Sequence, residues 1–315
     1  MKDLIIGGCS NYEWKDLRNW INSIRASGFD GDVALVGTNL STATLEKLTS
    51  AGVIVKGYGR RESTGVWTDK SPYSLAPHVE RFFYLWEFLN NVENYYENVI
   101  VTDTRDVVFQ LNPSDWLNDN LKDFEIVVSS EGLTYKNEPW GHRNLLDTFG
   151  PYFQKLLESK EIYNVGVIGG KHYQIASLLL MIFQMSLNRP VPVVDQAVFN
   201  FILNDTNYAN KTHFTTNKDG WAIQLGTTPQ VVNTGAGDIG KKFENISVTA
   251  EQYGYEDIVP HIDAKNGIVY KKDVGPAFCI VHQYDRFPAL KQAIDKRYGD
   301  NDELPESRTT FHHPV

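Results

Sequence analysis

The first sixty residues alternate short apolar runs with segments whose apolar residues recur every three or four positions. Asp3–Gly8, Asp32–Gly37 and Val53–Lys56 are apolar runs that predict buried strands. Tyr12–Ala26 and Thr44–Ala51, between them, have the spacing of helices. The resulting β-α-β-α-β order is typical of a parallel sheet with crossover helices.

The alternation of apolar strands and longer helical segments continues through the middle of the chain. The pattern predicts helices over His78–Asn91, Asn144–Lys160, Tyr173–Asn188 and Val194–Asn204, strands over Asn98–Thr102, Glu125–Ser129 and Tyr163–Gly170, and a loop over Ser130–His142. Shorter alternating segments follow at Ile223–Leu225, Gln230–Asn233, Gly267–Tyr270 and Phe278–His282. We therefore expect an α/β fold with a mixed, mostly parallel sheet flanked by helices. One domain would cover residues 1–300, and the polar residues 301–315 would form a flexible tail.

The composition and charge of the chain exclude some classes of protein. The 315 residues are 42% apolar and 22% charged, with 30 basic against 39 acidic side chains. A net charge of −9 argues against a nucleic-acid partner, which needs a basic field. The longest apolar stretch, Ile175–Leu187, is too short to cross a bilayer. The N-terminus has no signal-peptide pattern. Cys9 and Cys279 lie outside any metal-binding spacing, and two free thiols suit a reducing compartment. We therefore expect a soluble cytoplasmic protein with no transmembrane segment.

The strongest local motif is a buried strand that ends in two carboxylates. In Val99–Phe109 an apolar run leads to Asp103 and Asp106 and then becomes apolar again. Burying acidic groups is costly unless they are paired or bind a cation, so the motif favours a site for Mn²⁺ or Mg²⁺. The alternative is a structural turn in which Arg105 pairs with the two carboxylates.

With this motif the chain resembles the GT-A glycosyltransferases, whose metal-binding Asp-x-Asp follows such a strand; here the spacing is Asp-x-x-Asp. Further motifs resemble the glycogenin-like and galactosyltransferase branch of that family. They are the helix with Arg81, Asn164–Gly170 as the Asn-x-Gly-Val strand, Val194–Asn200 as the Asp-Gln helix start, and Ile280–Arg286 with its late His. Asp103–Gln110 and His282–Arg286 are also similar to glycosyltransferase-like proteins of algae and large algal viruses.

The resemblance implies a metal-dependent enzyme that uses a nucleoside diphosphate sugar as donor. Asp103, Asp106 and His282 would hold the Mn²⁺ or Mg²⁺ ion, which neutralises the departing diphosphate. The donor would bind at the first βα turn and at three arginines: Gly8, Cys9, Ser10, Asn11, Arg81, Arg105 and Arg286. Lys291 is a further basic candidate. A buried His at a strand end is the alternative for His282.

The resemblance also places Asn164, Asp195 and Gln196 at the reaction centre as catalytic candidates. Asn164 would contact a sugar hydroxyl, and Asp195 and Gln196 would face the anomeric carbon or orient the acceptor. The alternatives are a turn residue for Asn164 and a helix N-cap for Asp195. Should Asp195 not act, Glu131 and Asp285 are the next acidic residues near strand ends.

The activity that fits best is transfer of a hexosyl or pentosyl group to a glycan or other hydroxyl acceptor. A sugar nucleotidyltransferase and a catalytically silent nucleotide-sugar-binding module remain alternatives, although Gly7–Asn11 lacks the basic residue of a nucleotidyltransferase loop. Gly235–Gly240 matches the dinucleotide-binding pattern GxGxxG, but we interpret it as a turn because no helix is predicted after it. An aspartyl phosphatase is disfavoured because Arg105 stands where its second Asp would be.

Overall fold

The computed structural model describes residues 1–58, 75–92, 95–243, 246–272 and 275–299. Its strands are β1 (Leu4–Ser10), β2 (Asp32–Thr38), β3 (Ile54–Tyr58), β4 (Asn98–Thr102), β5 (Val107–Phe109), β6 (Ile126–Thr134), β7 (Glu161–Lys171), β8 (Thr212–Thr215), β9 (Ala222–Gln224), β10 (His261–Asp263), β11 (Ile268–Tyr270) and β12 (Ile280–His282). Its helices are α1 (Trp14–Ala26), α2 (Thr42–Ser50), α3 (Pro77–Asn91), α4 (Pro113–Asn120), α5 (Pro139–Phe149), α6 (Pro151–Leu157), α7 (His172–Ser186), α8 (Asp195–Leu203), α9 (Thr206–Ala209), α10 (Pro229–Val232), α11 (Gly237–Lys242), α12 (Ala250–Tyr253) and α13 (Pro288–Tyr298). The predicted tail, 301–315, lies outside the described residues.

The central sheet of the described chain has seven strands in the order β3-β2-β1-β4-β7-β6-β8. Every neighbouring pair is parallel except the two that involve β7, which runs antiparallel to both β4 and β6. A smaller sheet, β5-β12-β9, continues from the end of β4, and β10 and β11 form a hairpin. The prediction of a mixed, mostly parallel sheet flanked by helices is confirmed.

Both faces of the central sheet are buried at its inner strands, which explains why β1, β4 and β7 have continuous apolar runs. In β1, Leu4 and Ile6 pack with α3 and α7 on one face, and Ile5 packs with α1 on the other. Because successive side chains of a strand point to opposite faces of the sheet, β1 contributes to two hydrophobic layers. This leaves the strand ends as the places where polar side chains can gather.

The segment after β6 differs from its prediction. The expected loop over Ser130–His142 is wrong at both ends, because β6 continues through Thr134 and α5 begins at Pro139. The expected helix over Asn144–Lys160 is two helices, which separate at Gly150 and Pro151. Gly150 has a φ of 83°, and Pro151 cannot donate the backbone hydrogen bond that would continue α5.

Two segments in the last third of the chain contain short helices that the sequence pattern does not predict. The first three residues of the alternating segment Gln230–Asn233 lie in a helix, α10, which begins at Pro229 and in which Val231 and Val232 are buried. Gly235–Gly240 is not simply a turn, because α11 begins at Gly237. It follows a helix and not a strand, so it lacks the strand-loop-helix setting of a dinucleotide site.

Among the described helices we find no segment with both the length and the apolar character that a bilayer crossing requires.

Candidate active site

The link between β4 and β5 places two carboxylates at the end of the central sheet. Asp103 follows β4, and its backbone N–H donates to the carbonyl of Gly166 in β7 over 2.8 Å. Asp106 precedes β5, and its carbonyl accepts the N–H of Gln283 over 2.7 Å. The link is thereby fixed to β7 on one side and to the end of β12 on the other.

The last residue of β12, His282, faces both carboxylates. Its Nε2 lies 3.4 Å from Asp103 Oδ2 and 3.6 Å from Asp106 Oδ1. One ligand atom from each of these side chains lies within 4.8 Å of the others. Two carboxylate oxygens and one imidazole nitrogen are a donor set that fits a divalent cation. The fold thus brings together the three residues predicted as metal ligands.

Gln224 fixes the proton position on the His282 ring. Gln224 Nε2 donates to Ser129 Oγ over 2.6 Å, which directs its Oε1 at His282 Nδ1, also at 2.6 Å. Because the amide oxygen can only accept, Nδ1 carries the hydrogen and Nε2 is the atom directed at the carboxylates. A histidine oriented through its second nitrogen in this way is typical of metal ligands.

The electrostatics of the cluster are dominated by opposite charges in contact. Burial by itself lowers the pKa of His282, but the two carboxylates outweigh it and raise that pKa to about 10. Burial opposes ionisation of Asp103, yet Arg81 and His282 hold its pKa well below the usual range. The site is therefore arranged to keep both carboxylates ionised. Binding of a cation at Nε2 would release the imidazole proton.

Gly166 lies against the cluster and leaves no room for a side chain. A Cβ there would overlap His282 Cε1 and come within 2.9 Å of Asn164 Oδ1 and of Asp103 Oδ2. The close approach of β7 to the carboxylates therefore requires glycine at this position.

Arg81, in the second turn of α3, joins the cluster to the start of α8. Its Nη1 donates to Asp103 Oδ1, and its Nη2 donates to Asp195 Oδ2 over 3.2 Å. The buried Nε has no hydrogen-bond partner among the described residues. One planar guanidinium thus bridges two carboxylates and keeps a donor available.

The N-cap interpretation of Asp195 is wrong. The cap position is Val194, and Asp195 is the first residue of the helix itself. Its buried carboxylate pairs with Arg81. Burial raises the pKa of Asp195, and Arg81 opposes this shift. Asp195 therefore remains a candidate for the reaction centre.

Asn164 and Gln196 are held in one hydrogen-bond network around Glu131. Both side-chain amides donate to Glu131 Oε1, Asn164 over 2.6 Å and Gln196 over 2.9 Å. Their oxygens accept backbone N–H groups, from Gly166 at 2.8 Å and from Val165 at 2.9 Å. The turn interpretation of Asn164 is also wrong, because this residue lies inside β7.

From the sequence Glu131 is only a substitute for Asp195, but in the structure it accepts hydrogen bonds from both Asn164 and Gln196. Burial raises its pKa to about 7, and the neighbouring carboxylate of Glu138 adds to the shift. Its sequence context, one acidic residue within an otherwise apolar and small strand, was the available signal. The other substitute, Asp285, lies between Arg286 at 2.9 Å and Arg105 at 3.9 Å.

Two cavities open beside these groups and share His78 and Arg81 in their walls. The first has a volume of about 390 Å³, and the predicted site residues in its wall are Arg81, Asp103, Asn164, Asp195, Gln196, His282 and Arg286. The second has a volume of about 340 Å³, and its wall contains Gly8, Cys9, Ser10, Asn11, Arg81 and Arg105. Asp106 is buried behind the first cavity and lines neither. Lys291 pairs with Asp295 on α13 and also lines neither.

The end of β1 is shaped by close packing against α3. A Cβ at Gly8 would lie 3.2 Å from Arg81 Cβ, so glycine lets the strand end approach the helix. Asn11 has a φ of 58°, and its backbone N–H donates to the carbonyl of Thr38 over 3.0 Å. This turn forms part of the wall of the second cavity.

Comparisons with known proteins identify the fold. No protein-family model and no curated protein sequence matches the chain. The chain is similar in structure to the galactosyltransferase LgtC in complex with donor and acceptor sugar analogues, with a TM-score of 0.51, 11% identity and coverage of 93% of this chain and 95% of that one. A glutamine-to-glutamate active-site mutant of LgtC gives a TM-score of 0.53 at 10% identity, covering 96% and 98% of the two chains.

The glycosyltransferase GlyE from Streptococcus pneumoniae TIGR4 is also similar, with a TM-score of 0.46, 11% identity and coverage of 90% of this chain but 54% of that one. The LgtC structures show that this chain has the GT-A glycosyltransferase fold, which confirms the fold implied by the motifs. At such low identity the likeness extends to the fold alone. The resemblance to algal and viral proteins stays a prediction.

The close approach at Gly166 leads to the first prediction. In Gly166→Ala the new methyl group displaces His282 and Asp103, so we expect affinity for Mn²⁺ to fall at least tenfold, the range typical of changes beside metal ligands. Titration of Mn²⁺ followed by electron paramagnetic resonance measures this. Gly275→Ala is the matched control, since its nearest neighbour would be 3.5 Å away. Unchanged Mn²⁺ affinity in Gly166→Ala would contradict the account of this glycine.

The second prediction concerns the charge on Glu131. Its pKa of about 7 in the native protein exceeds the value of about 4.3 expected for the unfolded chain. The native state therefore binds the proton more tightly, and the associated stability is lost as pH rises from about 4 through 7. Glu131→Gln keeps an oxygen for Asn164 and Gln196 but does not titrate. We expect it to exceed the wild type in unfolding free energy by up to about 4 kcal/mol at pH 8.

Urea unfolding between pH 5 and pH 8 checks this prediction, and the difference between the two proteins is expected to shrink toward pH 5. Glu46→Gln, at an exposed position of α2, controls for the loss of one acidic group. A difference that stays constant over the whole pH range would show that Glu131 does not titrate as described.

Proposed function

We propose that this protein is a metal-dependent glycosyltransferase that moves a hexosyl or pentosyl group from a nucleoside diphosphate sugar to a hydroxyl acceptor. The observation that carries the proposal is the Asp103, Asp106 and His282 cluster beside two cavities that share Arg81. The GT-A fold, seen in the donor and acceptor complex of LgtC, supports it.

The donor would lie across both cavities. Its nucleoside would occupy the second cavity, against the small residues of the β1 end, and its sugar the first. The diphosphate between them would meet Arg81, which lines both cavities, with Arg105 and Arg286 at the two sides. Three guanidinium groups along this path suit a doubly charged group, because Arg binds phosphate oxygens through a planar fork.

Asp103, Asp106 and His282 would hold Mn²⁺ or Mg²⁺. When bound, such an ion stabilises the negative charge that develops on the leaving diphosphate. The protein groups around the ion would orient its ligands. Gln224 keeps His282 Nε2 directed at the carboxylates, and Arg81 keeps Asp103 and Asp195 in fixed positions.

The sugar would meet a set of polar groups that are already oriented. Asn164 and Gln196 are each held by Glu131 and by a backbone N–H, so they can contact hydroxyl groups without first paying the entropy of ordering. Asp195 would lie beside the reacting carbon, where a carboxylate stabilises positive charge that develops on the sugar.

The third prediction tests the proposed function through the metal. A panel of nucleotide sugars is screened by thermal shift with and without Mn²⁺, and one donor is expected to stabilise the protein only with the ion. At a ligand concentration of one hundred times Kd the gain is about 2.7 kcal/mol. Asp106→Ala and the nearly isosteric Asp106→Asn are expected to remain folded but to lose the stabilisation that the donor gives only in the presence of Mn²⁺.

Asp119→Ala, an exposed position on α4, is the control and is expected to behave as the wild type. Sugar transfer measured with the donor found in the screen completes the test. Full transfer in the presence of EDTA would contradict metal dependence. Donor binding without any transfer would indicate a silent binding module.

The fourth prediction concerns Asp195. Asp195→Asn keeps the size of the side chain and one oxygen for Arg81, but it removes the charge. If Asp195 acts in the transition state, kcat and kcat/KM fall together, by roughly ten- to a thousandfold, and donor affinity changes little. Asp205→Asn, which caps the neighbouring helix α9, is the matched control. Normal kinetics in Asp195→Asn would remove Asp195 from the reaction centre.

A further inference from the structure

Trp140 is a large aromatic side chain in the wall of the first cavity, and 42% of it is exposed. Among the described residues its ring has no aromatic or cationic partner, and its indole nitrogen makes no hydrogen bond. Exposed tryptophan rings beside cavities provide apolar contact area for ligands. Part of this side chain is therefore accessible to a molecule in the cavity.

The backbone holds Trp140 in a fixed place. Pro139 begins α5, and Trp140 is the second residue of the helix. The buried carboxylate of Glu138 caps the helix by accepting the N–H of Trp140 over 3.1 Å and the N–H of Gly141. A rigid helix start carries the ring, so a ligand that stacks on it does not first have to order a loop.

Trp140 lies away from the second cavity, which the nucleoside would occupy. It lines the first cavity only, together with the buried Ile162 and with Ile239 of α11. Glu131, which also lines this cavity, connects the region to Gln196 and thereby to the start of α8 beside Asp195. On the proposed function, the molecule in this position is the acceptor.

The surroundings combine apolar contact area with oxygen atoms that accept hydrogen bonds. Trp140, Ile162 and Ile239 are apolar, whereas Glu131 and Glu138 contribute carboxylates to the same wall. A sugar ring has a matching character, because one face presents C–H groups and its edge presents hydroxyl donors. The two acidic side chains also disfavour an acceptor with negative charge.

We propose that Trp140 is the stacking platform for the acceptor, and that the acceptor is an uncharged saccharide. The inference rests on the proposed function only in that it identifies the bound saccharide as the acceptor. The predicted binding of a saccharide on the ring is a separate property that can be measured without turnover.

Saturation-transfer NMR with the full chain tests this fifth prediction. The probes are methyl glycosides of glucose, galactose, mannose, xylose and N-acetylglucosamine, the disaccharides lactose and cellobiose, and, for comparison, glycerol and a serine-containing peptide. We expect at least one saccharide to bind the wild type. Its Kd should rise about tenfold in Trp140→Ala and in Trp140→Leu, which keeps an apolar side chain without a ring, and change little in Trp140→Phe.

Tyr152→Ala is the matched control, since Tyr152 on α6 is an aromatic residue that is 74% exposed and outside both cavities. Equal saccharide affinity in the wild type and in Trp140→Ala would overturn the proposal, as would binding of the peptide or glycerol in preference to every saccharide, or no saccharide binding at all. Urea unfolding of each variant confirms that it is folded.

The two proposals fail in different ways. If no nucleotide sugar supports transfer but saccharides bind through Trp140, the glycosyltransferase function is wrong and the platform stands. If transfer occurs and its KM for a saccharide acceptor is unaffected in Trp140→Leu, the function stands and the platform is wrong.

Discussion

The arrangement of the site depends on the cost of burying negative charge at the end of β4. Asp106, Asp195, Glu131 and Glu138 are all buried, and Asp103 lies among them partly covered. The cations in contact with Asp103, Asp106 and Asp195 are Arg81 and His282. Because isolated carboxylates are expensive to desolvate, the fold must bring these two cations from distant parts of the chain. An excess of acidic groups remains even so, and a divalent cation would balance it.

The layered fold can be predicted because the apolar pattern that indicates it is local. The direction of β7 cannot be predicted in this way. The β-α-β-α-β order of the first sixty residues follows from period and length alone, and strands β1 to β4 have the expected parallel arrangement. An apolar run such as Tyr163–Gly170 looks the same in either direction, so its antiparallel placement between β4 and β6 depends on tertiary packing. The short helices α10 and α11 were missed for a similar reason, since their few residues carry no helical period.

The sequence indicates most residues of the candidate site but not the contacts between them. Asp103 and Asp106 stand out because acidic residues interrupt an apolar strand, and resemblance supplied Asn164, Asp195 and His282. Nothing in the sequence links Gln224 to His282, 58 positions away, although this contact decides which nitrogen faces the carboxylates. The requirement for glycine at 166 is equally hidden, because it arises from side chains on two other elements.

The two halves of the site are built on different kinds of secondary structure. Arg81, Asp103 and His282 stand on α3 and at the ends of β4 and β12, where buried sheets and long helices fix their positions. The wall around Trp140 is formed instead by the start of α5 and by α11, a helix of six residues that packs outside the central sheet. The apolar side chains of this wall, such as Trp140 and Ile239, can change without altering the charges at the end of β4. A single scaffold can therefore keep the charged cluster unchanged while the shape of the opposite wall varies.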